Sequence, residues 1–331
     1  MKRILLNIGT LIAAFSTLMA QQDQQYTQYM ANQFTINPAV AGTEDFIDIK
    51  AGFRQQWTGF DAAPRTMYLS AHSTIGKEFN SAHGHHKGEH GYWHGIGGLF
   101  YGDQTGPISR NGFYGTYAFN TAIAKTMRLS LGAAFGIKQF SFSPEAYRQN
   151  IVDQGDLLIE GSYTEIMPDL NVGFWLYNKD FYFGVSAYQV LRSEVDFDGI
   201  YDPSNNGNRA RFSNHMYFTG GIIMPISDEL TFVPSFMMKY VTPAPASVDL
   251  NGKLVWDDKY WGAISYRVGD SFSVIGGVVI KKHLELSYSY DLTTSDIRQY
   301  SSGSHEVIIG YRLQHPSKLA CPTNYWNKRK W

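Results

Sequence analysis

The chain has 331 residues and a formal net charge of −1, with 17% charged and 15% aromatic residues. A soluble domain carries about 25% charged residues, so this chain is poor in charge and rich in rings, and no basic excess points to nucleic acid. After residue 20 no apolar run approaches the roughly 20 residues of a membrane helix. The mean hydropathy of −0.26 suits a barrel, whose lipid-facing and lumen-facing residues average out.

Residues 1–20 read as a secretory signal peptide. Lys2 and Arg3 precede the apolar run Ile4–Leu18, and Ala20 stands before Gln21. Residues 21–45 form a polar lead-in in which Gln21, Gln22, Gln24, Gln25, Gln28 and Gln33 interleave with Tyr26, Tyr29 and Phe34. It ends in the turn-forming run Asn37-Pro38-Ala39-Val40-Ala41-Gly42 and is expected to lie inside or beneath the barrel.

Strands follow over residues 46–314. In the first, Ile47, Ile49, Ala51, Phe53 and Trp57 alternate with Asp48, Lys50, Gly52, Arg54 and Gln56. A second runs over Thr66–Ile75 and a third over Gly95–Asp103. Phe113–Phe142 supplies two more, and from Met127 the alternation is unbroken: Met127, Leu129, Leu131, Ala133, Phe135 and Ile137 against Arg128, Ser130, Gly132, Ala134, Gly136 and Lys138. A strand of about ten residues with one apolar and one polar face is what spans an outer membrane in a closed barrel. The remaining strands are Leu170–Leu176, Phe181–Leu191, Asn214–Ile226, Leu230–Thr242, Val248–Trp256, Tyr260–Val268, Phe272–Ile280, Leu284–Thr294 and Ser304–Leu313. The pattern predicts an all-β, transmembrane outer-membrane β-barrel of about 14 antiparallel strands.

Register offers a second reading of the same strands, because a one-residue slip moves every side chain to the other face. Parity of the apolar faces requires odd loops at Lys125-Thr126-Met127, Ser227-Asp228-Glu229 and Lys281-Lys282-His283, and an even one at Asn178-Lys179. With entry from the periplasm, the connections after odd strands are extracellular: Thr58–Pro64, Gln104–Gly112, Ser143–Pro168, Arg192–Ser213, Pro243–Ser247, Gly269–Asp270 and Ser295–Gly303. The other turns are short except Gly76–His94. Residues 315–331 form a periplasmic tail that ends Lys328-Arg329-Lys330-Trp331 and carries the single cysteine, Cys321, so the chain has no intramolecular disulfide framework.

Candidate chemistry is sparse. His86, His90 and His94 in the His-rich insert are candidate metal ligands, but Gly84, Gly88 and Gly91 oppose the helix that would align them, and a solvated loop is the favoured reading. No nucleophile elbow, phosphate-binding glycine loop or His-Glu-x-x-His occurs, so no catalytic residue and no cofactor are assigned. His72, His215, Ser235 and Asp249 lie on polar faces and read as lumen lining rather than a hydrolase. Arg54, Lys138, Lys239 and Arg267 read as lumen charges paired with carboxylates such as Asp48, or as wall charge for a pore. Trp57, Tyr117, Trp175, Tyr188, Tyr240, Trp256, Trp261, Tyr288 and Tyr290 read best as interfacial girdles, with ordinary core aromatics as the runner-up.

At Gln28-Tyr29, Asn37–Gly42 and Arg54-Gln55-Gln56-Trp57-Thr58-Gly59-Phe60-Asp61-Ala62-Ala63-Pro64-Arg65-Thr66, the chain resembles the PorP/SprF family of outer-membrane proteins of the type IX secretion system. Weaker pieces continue at Gly95–Gly106, Tyr288-Ser289-Tyr290-Asp291, Ser304-His305-Glu306 and Cys321-Pro322. The chain departs from the family at Ala62, where Gly is common, and in the His-rich insert. The resemblance implies a non-enzymatic outer-membrane role in secretion or surface anchoring of cargo, including gliding adhesins, with contacts to the periplasmic secretion apparatus and to lipid. The signature residues Asn37, Pro38, Gly42, Arg54, Gln56, Trp57, Gly59, Phe60 and Pro64 are then candidates for a partner or lumen-loop role. One expectation is that Gly59, Ala62 and Pro64 fold the first long loop back onto the lumen. The alternative function is a porin or small-molecule transporter, which requires an open pore.

Overall fold

The computed structural model describes residues 24–75, 91–124, 126–143, 162–195, 210–242 and 244–314. Residues 1–20, His86, His90, Lys125, Cys321 and the 315–331 tail lie outside them. Fourteen antiparallel strands close into one barrel: β1 Phe46–Gln55, β2 Arg65–Ile75, β3 Tyr92–Thr105, β4 Ile108–Ala122, β5 Arg128–Phe142, β6 Tyr163–Tyr177 and β7 Phe181–Tyr188, then β8 His215–Ile222, β9 Leu230–Val241, β10 Ala244–Trp256, β11 Tyr260–Arg267, β12 Ser271–Ile280, β13 Leu284–Thr293 and β14 Ser304–Gln314. Each pairs with the next, and β1 pairs with β14, from Phe46 opposite Gln314 to Gln55 opposite His305. Closure leaves no edge along the ring, which is what a sheet needs in lipid.

The period-two pattern is realised as an inside and an outside. Along β11 burial alternates without exception from exposed Tyr260 to buried Arg267. Outward positions are large and apolar, as at Phe113, Phe135 and Ile166. Inward positions carry the polar, charged and buried aromatic side chains, with glycines and a few aliphatics such as Leu99 and Ile308 among them.

The turns follow the parity argument. β8's extension Met224–Pro225 pairs with Phe232 and Thr231, which leaves Ser227-Asp228-Glu229 at the tip. Ile280 pairs with Leu284 around Lys281-Lys282-His283, with Lys281 and Lys282 at φ 50° and 63°. Between β6 and β7 the loop is even, but shifted by one residue. Tyr177 pairs with Tyr182, and the Asn178 side chain accepts from the Asp180 and Phe181 amides. The β4–β5 loop keeps its odd parity, with Thr121 opposite Leu129.

Three connections are shorter than the apolar pattern suggests. β3 and β4 run on until Thr105 meets Ile108, so the Gln104–Gly112 connection reduces to a tight turn. β6 begins at Tyr163 and β10 at Ala244. These extensions rise above the apolar band, where outward residues become Ser109, Asn111, Gln139, Ser141 and Thr164. Main-chain pairing continues there although the hydrophobic signal has ended.

The lumen is not empty. Residues 24–45 run down it from the rim that carries the long connections to the rim of short turns. Tyr26, Tyr29, Phe34, Ile36, Ala39, Val40 and Ala41 are buried there, mostly in one core with Tyr68, Leu99, Tyr101, Tyr114, Trp175, Tyr182, Tyr217 and Ile308 of the wall. Two 3-10 turns, Gln33–Thr35 and Pro38–Val40, give this segment its only regular structure.

Inward aromatic rings lie over glycines directly opposite on the neighbouring strand. Tyr68 faces Gly52, Tyr114 faces Gly136, Trp175 faces Gly184 and Trp261 faces Gly277. A Cβ on Gly277 would lie 2.2 Å from the Trp261 ring, so the ring occupies the space a side chain would take. Trp175, Trp261 and Tyr188 therefore correct the girdle assignment. They sit on the inward parity of their strands and pack the lumen: Trp175 stacks on Tyr182 at 5.2 Å, and Tyr188 meets Tyr217 at 5.4 Å. Tyr117, Tyr240, Trp256 and Tyr288 do face outward and are exposed.

Candidate functional site

The site the fold builds is the contact between the luminal segment and the wall, and it has two ends of different chemistry. Near the long-loop rim the contact is ionic. Arg54, at the end of β1, places Nη1 2.8 Å from Asp291 and 3.2 Å from Glu306. The same nitrogen donates to the Thr27 hydroxyl at 2.5 Å. Thr27 donates its amide to Glu306 at 2.8 Å and its hydroxyl to Asp291 at 2.7 Å. Gln28 donates Nε2 to the Glu306 carbonyl at 2.8 Å. One wall arginine, two wall carboxylates and two luminal residues are thus bonded into one cluster. A buried charge is tolerated only when paired and hydrogen-bonded in this way. Beside them Arg267 holds Asp249 at 2.9 Å and reaches Gln25 at 3.2 Å.

Near the short-turn rim the contact is steric. Asn37 caps its own turn by accepting from the Ala39 amide at 2.9 Å, and donates to the Phe174 carbonyl of β6 at 3.0 Å. Pro38 occupies the first position of the 3-10 turn, where its missing N–H costs nothing. The run then presses its backbone onto wall glycines. A Cβ on Gly132 would lie 2.4 Å from the Ala39 amide nitrogen, and one on Gly95 would lie 2.1 Å from the Ala41 carbonyl oxygen. Gly42 adopts φ 72°, and its carbonyl accepts from the Trp93 indole at 2.8 Å. Just beyond, a second ionic cluster pairs Lys50 with Asp48 at 2.6 Å and Arg312 with Glu285 at 2.6 Å. Glu44 lies half-buried beside it. Desolvation, reinforced by the Asp48 charge, pushes its carboxyl up to about 7.

The signature residues therefore divide. Asn37, Pro38, Gly42 and Arg54 belong to the lumen contact. Gln56, Trp57, Gly59, Phe60 and Pro64 form the turn after β1, where Gln56 N–H donates to the Pro64 carbonyl at 2.9 Å. Trp57 stands at φ 48° and Gly59 at φ 95°. This turn does not enter the lumen. It is tied to the Ser295–Gly303 connection through Thr58 and Gly303 at 2.8 Å and Trp57 and Ser304 at 3.1 Å, and Phe60 is exposed. The expectation that it folds back onto the lumen is corrected: residues 24–45 already occupy that space. Spaces of about 70 Å³ beside the Glu44 cluster and about 20 Å³ near Tyr217 remain, room for ordered waters.

The other candidates separate. His72 has Nε2 3.7 Å from Asp48, Asp249 is held by Arg267, and His215 has Nδ1 2.9 Å from the Ser213 carbonyl. Val241 pairs with His215 while Ser235 pairs with Gly221, so Ser235 and His215 lie at opposite ends of one strand pair. The structure does not bring them together. Lys138 and Lys239 are inward, over the rings of Phe212 and Tyr217. His94 is on the outer face, with Nδ1 2.8 Å from the Tyr117 hydroxyl. Among the described residues no group of three or more His, Cys, Asp or Glu side chains is placed to hold a metal. Sequence reasoning missed Asp291 and Glu306 as the partners of Arg54. The available signal was their place in the later family-like pieces, each on an inward position.

A closed fourteen-stranded ring, apolar outside and charged within, defines a transmembrane β-barrel of the outer-membrane type, filled by its own N-terminal segment. The family described as "Type IX secretion system membrane protein PorP/SprF" matches residues 18–311. The chain belongs to that family. Among solved structures it is similar to the Pseudomonas putida toluene transporter TodX, at 9% identity over 86% of this chain and 94% of that one, with a TM-score of 0.49. It is also similar to a Pseudomonas aeruginosa FadL homologue, at 8% identity over 84% of this chain and 92% of that one, with a TM-score of 0.47. The translocator domain of the autotransporter NalP from Neisseria meningitidis matches at 10% identity over 86% and 95%, with a TM-score of 0.41. No curated protein matches the chain significantly.

Proposed function

We propose that this chain is a non-enzymatic, plugged outer-membrane barrel of the type IX secretion system, supporting secretion or surface anchoring of cargo such as a gliding adhesin. The signal peptide delivers it to the periplasm, the long connections face outside, and the short-turn rim with the tail faces the periplasmic secretion components. The observation that carries this reading over the porin alternative is the filled lumen. A transporter of small molecules needs a continuous path, whereas residues 24–45 are buried against the wall from Thr27 and Glu306 at one end to Gly42 and Gly95 at the other. A barrel closed in this way has its rims and outer wall left to work with, and these are protein-binding surfaces. The test is affinity purification from native outer membranes in mild detergent with mass spectrometry. Recovery of a surface adhesin or periplasmic secretion components supports the accessory role. A lone barrel with single-channel conductance overturns it.

A further inference from the structure

The barrel wall is stepped on one side. β6 has fifteen residues, β7 and β8 only eight each. The β6–β7 ladder spans Val172–Tyr177, and its register would place residue 196 opposite Tyr163 if β7 continued. It does not continue. Gln189 and Arg192 take φ 59° and 50° and the chain turns away. The links across this step include the Gln189 amide to Asn171 Oδ1 at 2.9 Å, the Val190 amide to the Leu170 carbonyl at 2.9 Å and the Ser193 hydroxyl to the Pro168 carbonyl at 2.7 Å. Among the described residues, the Tyr163–Asp169 stretch of β6 has a strand partner only in β5.

The sequence of β6 agrees with an open edge. Pro168 lies mid-strand, and a proline lacks the N–H a central strand must donate, so prolines sit on strand edges. Pro168 lies opposite Ile137 of β5 in a position whose N–H points away from β5. Even-numbered β6 residues, Leu170 among them, therefore turn their backbone groups toward the step. Thr164 and Ile166 do so with both N–H and C=O. Around them the outer face changes from Ile137 and Ile166 to Gln139, Ser141 and Thr164, so the edge stands at the top of the apolar band, with Thr164 and Ile166 exposed.

The geometry points to the Thr164–Ile166 edge of β6 as a strand-addition site for an extended segment of an exported cargo protein. Rows of N–H and C=O groups repeating every second residue, about 7 Å apart, are matched by another polypeptide backbone and not by lipid or a small solute. The step lies on the long-loop side, where the proposed function brings cargo; the inference rests on that reading. The incoming strand would take the place of the absent continuation of β7.

Hydrogen exchange on the purified full chain tests the edge. The Thr164 and Ile166 amides should exchange at least ~100-fold faster than those of Glu165 and Met167, which bond to β5. Protection of the even amides in the lone protein would overturn the proposal. Thr164→Pro and Ile166→Pro remove an edge donor as Pro168 already does, so both barrels should fold, shown by heat-shifted migration on a denaturing gel. Both should reduce roughly tenfold the exported protein that copurifies with the native chain, the loss of about 1.4 kcal/mol. A photo-crosslinker in place of Ile166 should join a strand of that same protein. Adducts to residues 144–161 or 196–209 of this chain, or to a second copy, would overturn it. Recovery that survives both prolines would sink the edge and leave the secretion role intact. Absence of any exported protein with the native chain would remove both.

Discussion

Substituting a wall glycine beneath the luminal run should unseat the plug. In Gly132→Leu the new Cβ would lie 2.4 Å from the Ala39 nitrogen and 2.5 Å from the Pro38 carbonyl carbon. Ordinary heavy-atom contacts are about 3.5–4.0 Å, so the Pro38–Ala39 backbone must retreat by about 1 Å or more. It cannot retreat freely, because Asn37 is bonded to the Phe174 carbonyl and Ala41 is pressed against Gly95. Overpacking of this kind costs about 1–3 kcal/mol, and losing the Asn37 bond adds about 1 kcal/mol. Repeating it at Gly95 and Gly173 should exceed what holds the lower half of the segment. The space exposed is large. Fourteen strands spaced about 4.8 Å and tilted about 40° enclose a backbone cylinder roughly 28 Å across, which leaves a channel on the order of 15 Å wide inside the side chains. The assay is planar-bilayer conductance: the native chain should be silent and the Gly95→Leu/Gly132→Leu/Gly173→Leu variant should conduct. Gly276→Leu is the control, because a Cβ there meets nothing within 4 Å. A conducting native chain, or a folded triple variant that stays silent, would refute the account of the lumen.

Arg54→Met should destabilise the purified barrel by about 3–5 kcal/mol, because Asp291 and Glu306 are left buried without their cation. Denaturant unfolding in detergent reads this, and adding Asp291→Asn and Glu306→Gln should restore much of the loss. Glu44 gives a pH dependence. Its folded-state value near 7 is raised from an ordinary 4.5, so its contribution is fully present below pH 4.5 and is lost as pH rises through 7. Unfolding measured from pH 4.5 to 8 should therefore show a decline that Glu44→Gln flattens; an unchanged slope would exclude Glu44 as its source. The descent of the luminal segment predicts topology. In a Cys321→Ser background, Gln24→Cys should react with an impermeant maleimide added to intact cells, and Asp228→Cys on a short turn should react only after the outer membrane is breached.

The barrel was legible because its information is local. Period-two alternation is set by residues that face lipid, and lipid contact requires nothing from the rest of the chain. Turn parity followed for the same reason: at Ser227-Asp228-Glu229 and Lys281-Lys282-His283 the two flanking faces and the loop length lie within one hairpin. Where the environment ceased to be lipid, the reading weakened. Trp175 and Trp261 looked like girdle residues because an aromatic near a strand end has the same identity on either face. Parity and an opposite glycine, Gly184 or Gly277, decide between them. Extensions such as Tyr163–Asp169 were missed because above the apolar band both faces are polar.

The sequence by itself determined the class of fold, the strand count and the placing of Arg54, Lys138, Lys239 and Arg267 on inward faces, because side-chain alternation is a property of each strand alone. Only the tertiary structure decided what those charges meet. Arg54 finds Asp291 and Glu306 across strands more than two hundred residues away, and Asn37–Gly42 finds Gly95, Gly132 and Gly173. Ring closure between β1 and β14 brings the first set together, and the descent of the N-terminal segment through the lumen brings the second. Both are long-range events whose partners leave no periodic trace in the chain.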